Sequence, residues 1–185
     1  MRSEEFNVVR KDVVSQASGV VLEIGFGSGY NLPFYKDVSK VYALEPSREL
    51  FALAKERMAE FHIPIELFFS GAEAIPLPDV SMDCVVSTWT LCSVNDIAKT
   101  LVEIRRVLKP DGRLLFVEHG QSPYKFLQIV QSLVTILTRH LRGNCHLDRN
   151  IEQMISEAGF VLKSIEKMPE VGRPLMYSYR GVATK

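Results

Sequence analysis

Residues 20–29 read VVLEIGFGSG, and no other stretch limits the possible folds of this chain as much. Val20, Val21, Leu22 and Ile24 make a buried strand that runs straight into Gly25, Gly27 and Gly29. Alternate glycines let the backbone turn sharply and let a ligand approach where a Cβ would collide. Glu23 sits just before the turn, near the carboxyl end of the strand. Ligands of open α/β sheets bind in the crevice outside such ends.

Two cofactor classes use a strand followed by a glycine turn. A dinucleotide site wants G-x-G-x-x-G, with the last glycine opening a long helix. Here the third glycine falls one position early, and Tyr30 stands where the fingerprint has its last glycine. The spacing G-x-G-x-G after an acid instead resembles class I S-adenosylmethionine (AdoMet) methyltransferases. Past the turn, Pro33 allows only a short helical turn. Asn31 has two readings, a partner for a cofactor carboxylate or the cap of that turn.

Composition narrows the class. With 185 residues, 46% hydrophobic and 24% charged, the chain suits one soluble domain with a real core. A formal net charge of +0 builds in no attraction to nucleic acid or to an anionic membrane. The 3 cysteines, Cys84, Cys92 and Cys145, are odd in number and form no C-x-x-C pair. That speaks against a disulfide framework or a structural zinc site and fits a reducing cytoplasm. No acid–His cluster stands at ligand spacing, so no metal is expected. The start, MRSEEF, lacks the apolar core of a signal peptide, and no apolar run reaches the roughly 18 residues of a spanning helix. The expectation is a cytoplasmic protein with no stable membrane insertion, peripheral contact remaining open.

In chain order, residues 6–15 suggest a short amphipathic helix over the site or the sheet edge. Residues 40–44 (KVYAL) make a second strand ended by Glu45, about 20 residues past the first glycine, where a carboxylate can accept both ribose hydroxyls. That feature does not separate AdoMet from NAD. Pro46 and Ser47 open a helix, with Ser47 as N-cap. Residues 66–70 form the third strand, followed by Gly71, Ala72 and Glu73. Residues 84–87 form the fourth, and its outflow carries Thr88, Trp89, Leu91 and Cys92. Trp89 either walls an acceptor pocket or packs in the core. Asn95 is read as the cap of a helix with a core stripe of Ile97, Leu101, Ile104, Val107 and Leu108. LKPDG then turns into a fifth strand at 113–117, with Glu118 and His119 at its carboxyl end.

Residues 124–142 place Phe126, Ile129, Val130, Leu133, Ile136, Leu137 and Leu141 on a broad apolar face. This helix is read as a lid, as a lipid or partner surface, or as a helix packed on its own domain. Asp148 is read as capping a helix over 151–158, ended by Gly159. Residues 160–166 and 176–184 are the last two strands. MPEVGRPL between them is too short for a helical crossover, so they should pair antiparallel.

From about residue 20 to the end, the chain resembles class I methyltransferases, to which the LKPDG passage and the antiparallel end add support. The C-terminal half is similar to the methyltransferase-like thiol S-methyltransferases. The residues that carry this are Leu91-Cys92-Ser93-Val94, Arg106-Val107-Leu108 with Pro110 and Gly112, Glu118-His119, and Cys145, Leu147 and Arg149 before Ala158 and Phe160. Animal members carry a hydrophobic N-terminal anchor not seen here, and His146 and Asp148 replace other polar residues. The resemblance implies an α/β fold, a three-layer Rossmann-like doubly wound sheet of seven strands, mostly parallel with the last antiparallel. It implies one domain over 1–185, with 123–142 as a helical lid insertion.

It also implies AdoMet as cofactor, held by Glu23, Gly25, Gly27, Gly29, Asn31, Glu45, Pro46, Ala72, Glu73, Thr88 and Leu91. Gly71 stands where quinone-biosynthesis relatives have an Asp, so the adenine contact falls to the Ala72 backbone with Glu73 beside it. The expected reaction is methyl transfer to a small lipophilic acceptor, with a thiol first in line. His119 or His146 would help form the thiolate, against the alternative that each makes only a structural contact. The alternatives are a C- or O-methyltransferase of a quinone-like acceptor, a non-catalytic AdoMet-binding module, and an NAD-dependent oxidoreductase. A nucleic-acid substrate is not expected.

Overall fold

The computed structural model describes residues 4–138, 143–170 and 172–185. The elements are α1 (Glu4–Val14), β1 (Ser18–Ile24), β2 (Asp37–Leu44), α2 (Arg48–Met58), β3 (Ile65–Phe68), β4 (Met82–Thr88), α3 (Ile97–Val107), β5 (Leu108–Gly120), α4 (Lys125–Thr138), α5 (Ile151–Glu157), β6 (Val161–Glu170) and β7 (Arg173–Thr184). A short 3-10 turn at Leu32–Phe34 is all the helix that Pro33 permits after the glycines. The seven strands run in the order β3-β2-β1-β4-β5-β7-β6. Every pairing from β3 to β5 is parallel, and β7 lies antiparallel to both β5 and β6.

Alternation along the central strands fills two cores, one on each face. Leu22, Ile24, Val85, Leu114 and Phe116 join the cluster that holds Ile97, Leu101, Ile104, Ile151 and Ile155 of α3 and α5. Val21, Val86, Leu115 and Val117 join the cluster that holds Phe6, Val13, Val14 and Ala54 of α1 and α2. Helices therefore cover both faces, which is what continuous apolar runs in parallel strands demand. The chain winds from β1 outward to β3, then returns to place β4 on the other side of β1. The carboxyl ends of β1 and β4 thus flank the switch point where such sheets bind ligands.

Several local expectations need correction. Asp96, not Asn95, caps α3, its side chain accepting from the Lys99 N–H. Asn150, not Asp148, caps α5 in the same way through Gln153. MPEVGRPL is mostly strand, since β6 runs to Glu170 and β7 starts at Arg173. In α4 the buried residues are the polar Gln131 and Thr135, while Phe126, Ile129, Leu133, Ile136 and Leu137 face outward. Gln131 donates to the carbonyls of Gly120 (3.2 Å) and Leu175 (3.0 Å) and accepts from the Ser122 N–H (2.6 Å). The helix docks through these hydrogen bonds at the ends of β5 and β7 and through the partly buried Leu127 and Val134, while its broad apolar face turns outward. Residues 139–142, the end of the expected lid, lie outside the described residues.

Candidate active site

A cavity of about 620 Å³ opens at the switch point, within the size range of small-molecule and cofactor sites. Its floor is the glycine turn. Gly25 sits at φ +66, and a Cβ there would lie 2.0 Å from Thr90 Oγ1, so no other residue fits. Gly27, at φ +57, has nothing closer than 3.8 Å where its Cβ would be, which leaves the backbone open to the cavity. The Gly27 N–H donates to Glu45 Oε2 at 2.9 Å, and the Ser47 N–H donates to Glu45 Oε1 at 2.8 Å. The Glu45 carboxylate is thereby fixed between the turn and the start of α2.

Glu23 lies deeper and is fully enclosed. The Tyr35 hydroxyl donates to it at 2.6 Å and the Asn31 amide at 2.9 Å. Burial pushes the Glu23 carboxyl up to about 8, against the pull of those two hydrogen bonds and of Arg10. Asn31 also donates to Thr88 Oγ1 at 3.0 Å, so its nitrogen serves Glu23 and Thr88. That nitrogen is not free for a cofactor carboxylate, and the side chain makes no capping bond. Asn31 Oδ1 is buried with no hydrogen-bond partner among the described residues. Arg10 of α1 enters from above, its guanidinium 4.8 Å from the centroid of the Trp89 ring.

The far wall is Pro46, Leu50, Ser70, Ala72 and Glu73. Glu73 Oε1 accepts from the backbone N–H groups of Asn95 (3.0 Å) and Asp96 (3.4 Å), so this acid also ties the wall to the start of α3. Arg106 braces the following loop through the carbonyls of Ile75 (2.8 Å) and Leu77 (2.9 Å).

The loop after β4 is held from both sides. Buried Glu118 accepts from the Ser87 hydroxyl (2.5 Å) and from the N–H groups of Thr90 (3.1 Å) and Cys92 (3.0 Å). Arg149 donates to the carbonyls of Leu91 (2.5 Å) and Val94 (2.7 Å). Trp89 of this loop takes φ +53, a conformation that needs such support.

Trp89 and Ser93 also line a second cavity of about 620 Å³, whose other walls include His119, Val134, Cys145, Leu147 and Met176. Its polar end is His119, with Nε2 3.0 Å from Glu170 Oε1 and Nδ1 3.3 Å from Cys145 Sγ. Burial disfavours the imidazolium, but Cys92 and Glu170 outweigh it and lift His119 to about 9. The neighbours of His119 thus favour its protonated form. Cys92, His119 and Cys145 offer ligand atoms within 4.8 Å of one another, a cluster that linear spacing had hidden.

With this geometry in hand, comparison with known proteins is decisive. A family model described as "Methyltransferase domain" matches residues 22–116. Thiol S-methyltransferase TMT1B of Rattus norvegicus is 35% identical over 164 residues, 86% of this chain and 67% of that protein. The chain belongs to the methyltransferase domain family. It is a class I, AdoMet-dependent methyltransferase. The Homo sapiens TMT1B is 36% identical over 159 residues, and this chain spans about two-thirds of the length of either relative. The YcgJ protein of Bacillus subtilis shares the fold, with a TM-score of 0.71 at 18% identity over 97% of both chains.

In the methyltransferase, Glu23, Gly25, Gly27, Asn31, Glu45, Pro46, Ala72, Glu73 and Thr88 all line the first cavity. Two expected residues do not. Gly29 closes the turn behind it, its N–H on the Phe26 carbonyl and Leu32 packed where a Cβ would be. Leu91 is wholly buried in the core and contributes its carbonyl to Arg149. His146 does not line the second cavity, and its Nδ1 faces Asp148 at 3.9 Å. Sequence reasoning missed Arg10, Glu170 and the pairing of Cys92 with Cys145, none of which belongs to a spaced motif. Among the described residues, no helix is long and apolar enough to cross a membrane.

Proposed function

We propose that this chain transfers the AdoMet methyl group to the sulfur of a small lipophilic thiol. The observation that carries the reading is the pair of cavities meeting at Trp89 and Ser93. A donor in the first can face an acceptor in the second, and alignment at near-contact distance supplies most of what an in-line displacement needs. The apolar walls of the second cavity and its sulfur-and-imidazole end suit a thiol. The relationship to proteins named thiol S-methyltransferase supports the same choice.

The first cavity fits AdoMet residue by residue. Glu45 accepts the ribose hydroxyls, and Pro46 with the Ala72 backbone borders the adenine. The opening above Gly27 admits the cofactor against the main chain. The unpartnered Asn31 Oδ1 and the Glu23 carboxyl together suit the ammonium of the methionine part. AdoMet supplies an electrophilic methyl on a sulfonium; the chain's residues orient it and exclude water. α4 roofs the second cavity through Val134, in keeping with a lid.

The test is transfer from labelled AdoMet to panels of small thiols and of lipophilic phenols and quinols. Thiol methylation is expected, with Glu45→Ala weakening AdoMet binding about 10- to 100-fold, the worth of hydrogen bonds to a charged group. Transfer to phenols or quinols alone would make the chain an O- or C-methyltransferase. AdoMet binding without transfer to any acceptor would make it a binding module.

A further inference from the structure

We propose that Cys92, Cys145 and His119 form a zinc site with one open coordination position, and that the acceptor thiol binds there as a thiolate. The second half of the proposal rests on the thiol reading above; the first half stands on geometry alone. The Cys92 and Cys145 sulfurs lie 3.7 Å apart. His119 Nδ1 lies 3.3 Å from Cys145 Sγ and 3.8 Å from Cys92 Sγ. Zinc bonds of about 2.3 Å to sulfur and about 2.0 Å to nitrogen, in tetrahedral arrangement, require edges of about 3.8 Å between sulfurs and about 3.5 Å from sulfur to nitrogen. The three donor atoms thus already outline one face of a zinc tetrahedron.

Three further features point the same way. His119 turns Nδ1 to the sulfurs and Nε2 to Glu170 Oε1, at 3.0 Å. The approach is an ion-pair contact rather than an aligned hydrogen bond, and it puts a carboxylate beside the nitrogen that a metal-binding histidine almost always turns to a carboxylate or carbonyl. Glu170 is itself fixed by the Ser178 hydroxyl at 2.7 Å. The donors come from three separate segments that are fixed in place: Cys92 through its N–H on Glu118, His119 at the end of β5, and Cys145 beside the His146 N–H, which ties its segment to the Cys92 carbonyl at 2.8 Å. Finally, Cys145 and His119 line the second cavity while Cys92 is wholly buried behind them. The fourth position therefore faces the acceptor space, the mark of a reactive rather than a structural zinc site. Two thiolates and one imidazole make a soft set, which favours zinc over magnesium or calcium.

The chemistry balances. An entering thiol displaces zinc-bound water and loses its proton to solvent. The thiolate sulfur then attacks the AdoMet methyl carbon as the bond from carbon to the sulfonium breaks. The leaving sulfur keeps the electron pair, giving S-adenosylhomocysteine, and the neutral thioether dissociates.

The experiment is metal analysis of the full chain, purified under reducing conditions without chelator. Titration of the metal-free protein with cobalt(II), read by absorption, accompanies it. Expected are about one zinc per chain and a thiolate-to-cobalt charge-transfer band with tetrahedral d–d bands. The Cys84→Ala control should retain both, and Cys145→Ser should lose the band. Glu170→Gln should weaken zinc about 10- to 100-fold while keeping the band, a pattern that misfolding would not give. Cobalt binding without the thiolate band overturns the site. So does a Cys92–Cys145 disulfide in the purified protein that zinc does not prevent. Zinc bound as expected but no thiol methylated defeats the acceptor half and the thiol reading together. Thiols methylated at full rate by reduced, zinc-free protein defeat the metal proposal and leave the thiol reading intact.

Discussion

Burying a carboxyl at the end of a central strand costs free energy unless something neutralises it, and Glu23 bears that cost in the cofactor-free protein. Its carboxyl stands at about 8, raised by burial, with Tyr35, Asn31 and Arg10 pulling it down and Glu45 pushing it further up. An unfolded chain gives up this proton near the ordinary value of 4.5, whereas the folded chain keeps it until about 8. The folded state therefore binds more protons between those values, and this contribution to stability falls as pH rises through the window and levels off above it. The effect is on the order of a few kcal/mol. Denaturant unfolding of the cofactor-free protein at pH 5.5 and at pH 8 should show the decline, and Glu23→Gln should flatten it. A cationic cofactor beside Glu23 favours the carboxylate, so AdoMet binding at pH 6.5 should release a proton. Calorimetry in two buffers of different ionisation enthalpy measures that release, and equal apparent enthalpies would refute it.

At the scale of elements, α4 separates what the sequence discloses from what it conceals. Its period was legible, but not which face would dock, because docking is decided by partners distant in the chain. Gln131 binds three backbone groups, at Gly120 and Ser122 around the end of β5 and at Leu175 in β7, and the Leu147 N–H reaches Thr135 Oγ1 at 3.2 Å. Gln131→Leu should therefore cost about 2–4 kcal/mol, since it strands buried donors and acceptors despite adding apolar surface. Phe126→Ser, at a site 75% exposed, should change stability by no more than about 0.5 kcal/mol. Urea unfolding compares the two directly; the opposite order would mean that the helix docks by its apolar face. The strands and the glycine turn could be read because each is a local pattern. Glu45 was found through a fixed offset from that turn. Cap positions slipped by a residue or two where neighbouring Asn and Asp side chains compete, as at 95–96 and 148–150. Arg10 and Glu170 were invisible because nothing local marks a residue that reaches a site from α1 or from the end of β6.

At the scale of the whole molecule, the two cavities are built from opposite ends of the chain and share one wall. The N-terminal helix supplies Phe6, whose ring meets Trp89 edge-on at 5.0 Å, together with Arg10 above it. The C-terminal hairpin supplies residues 173–176 to the second cavity and sets Glu170 against His119 in its wall. Trp89, the only tryptophan in the chain, stands between them and borders both cavities. A ligand on either side must alter its surroundings, so its emission should respond to AdoMet and, separately, to the acceptor. The same contacts couple binding to stability, because a ligand that spans β1, β2 and β4 binds only the folded state. At 100 times its dissociation constant, AdoMet should add about 2.7 kcal/mol, or on the order of 5–10 °C in Tm. In Glu45→Ala the same AdoMet concentration should give a smaller fluorescence change and a smaller Tm shift, in proportion to the lost affinity. An emission change with AdoMet but none with a methylated acceptor would place the acceptor away from Trp89 and separate the two cavities functionally.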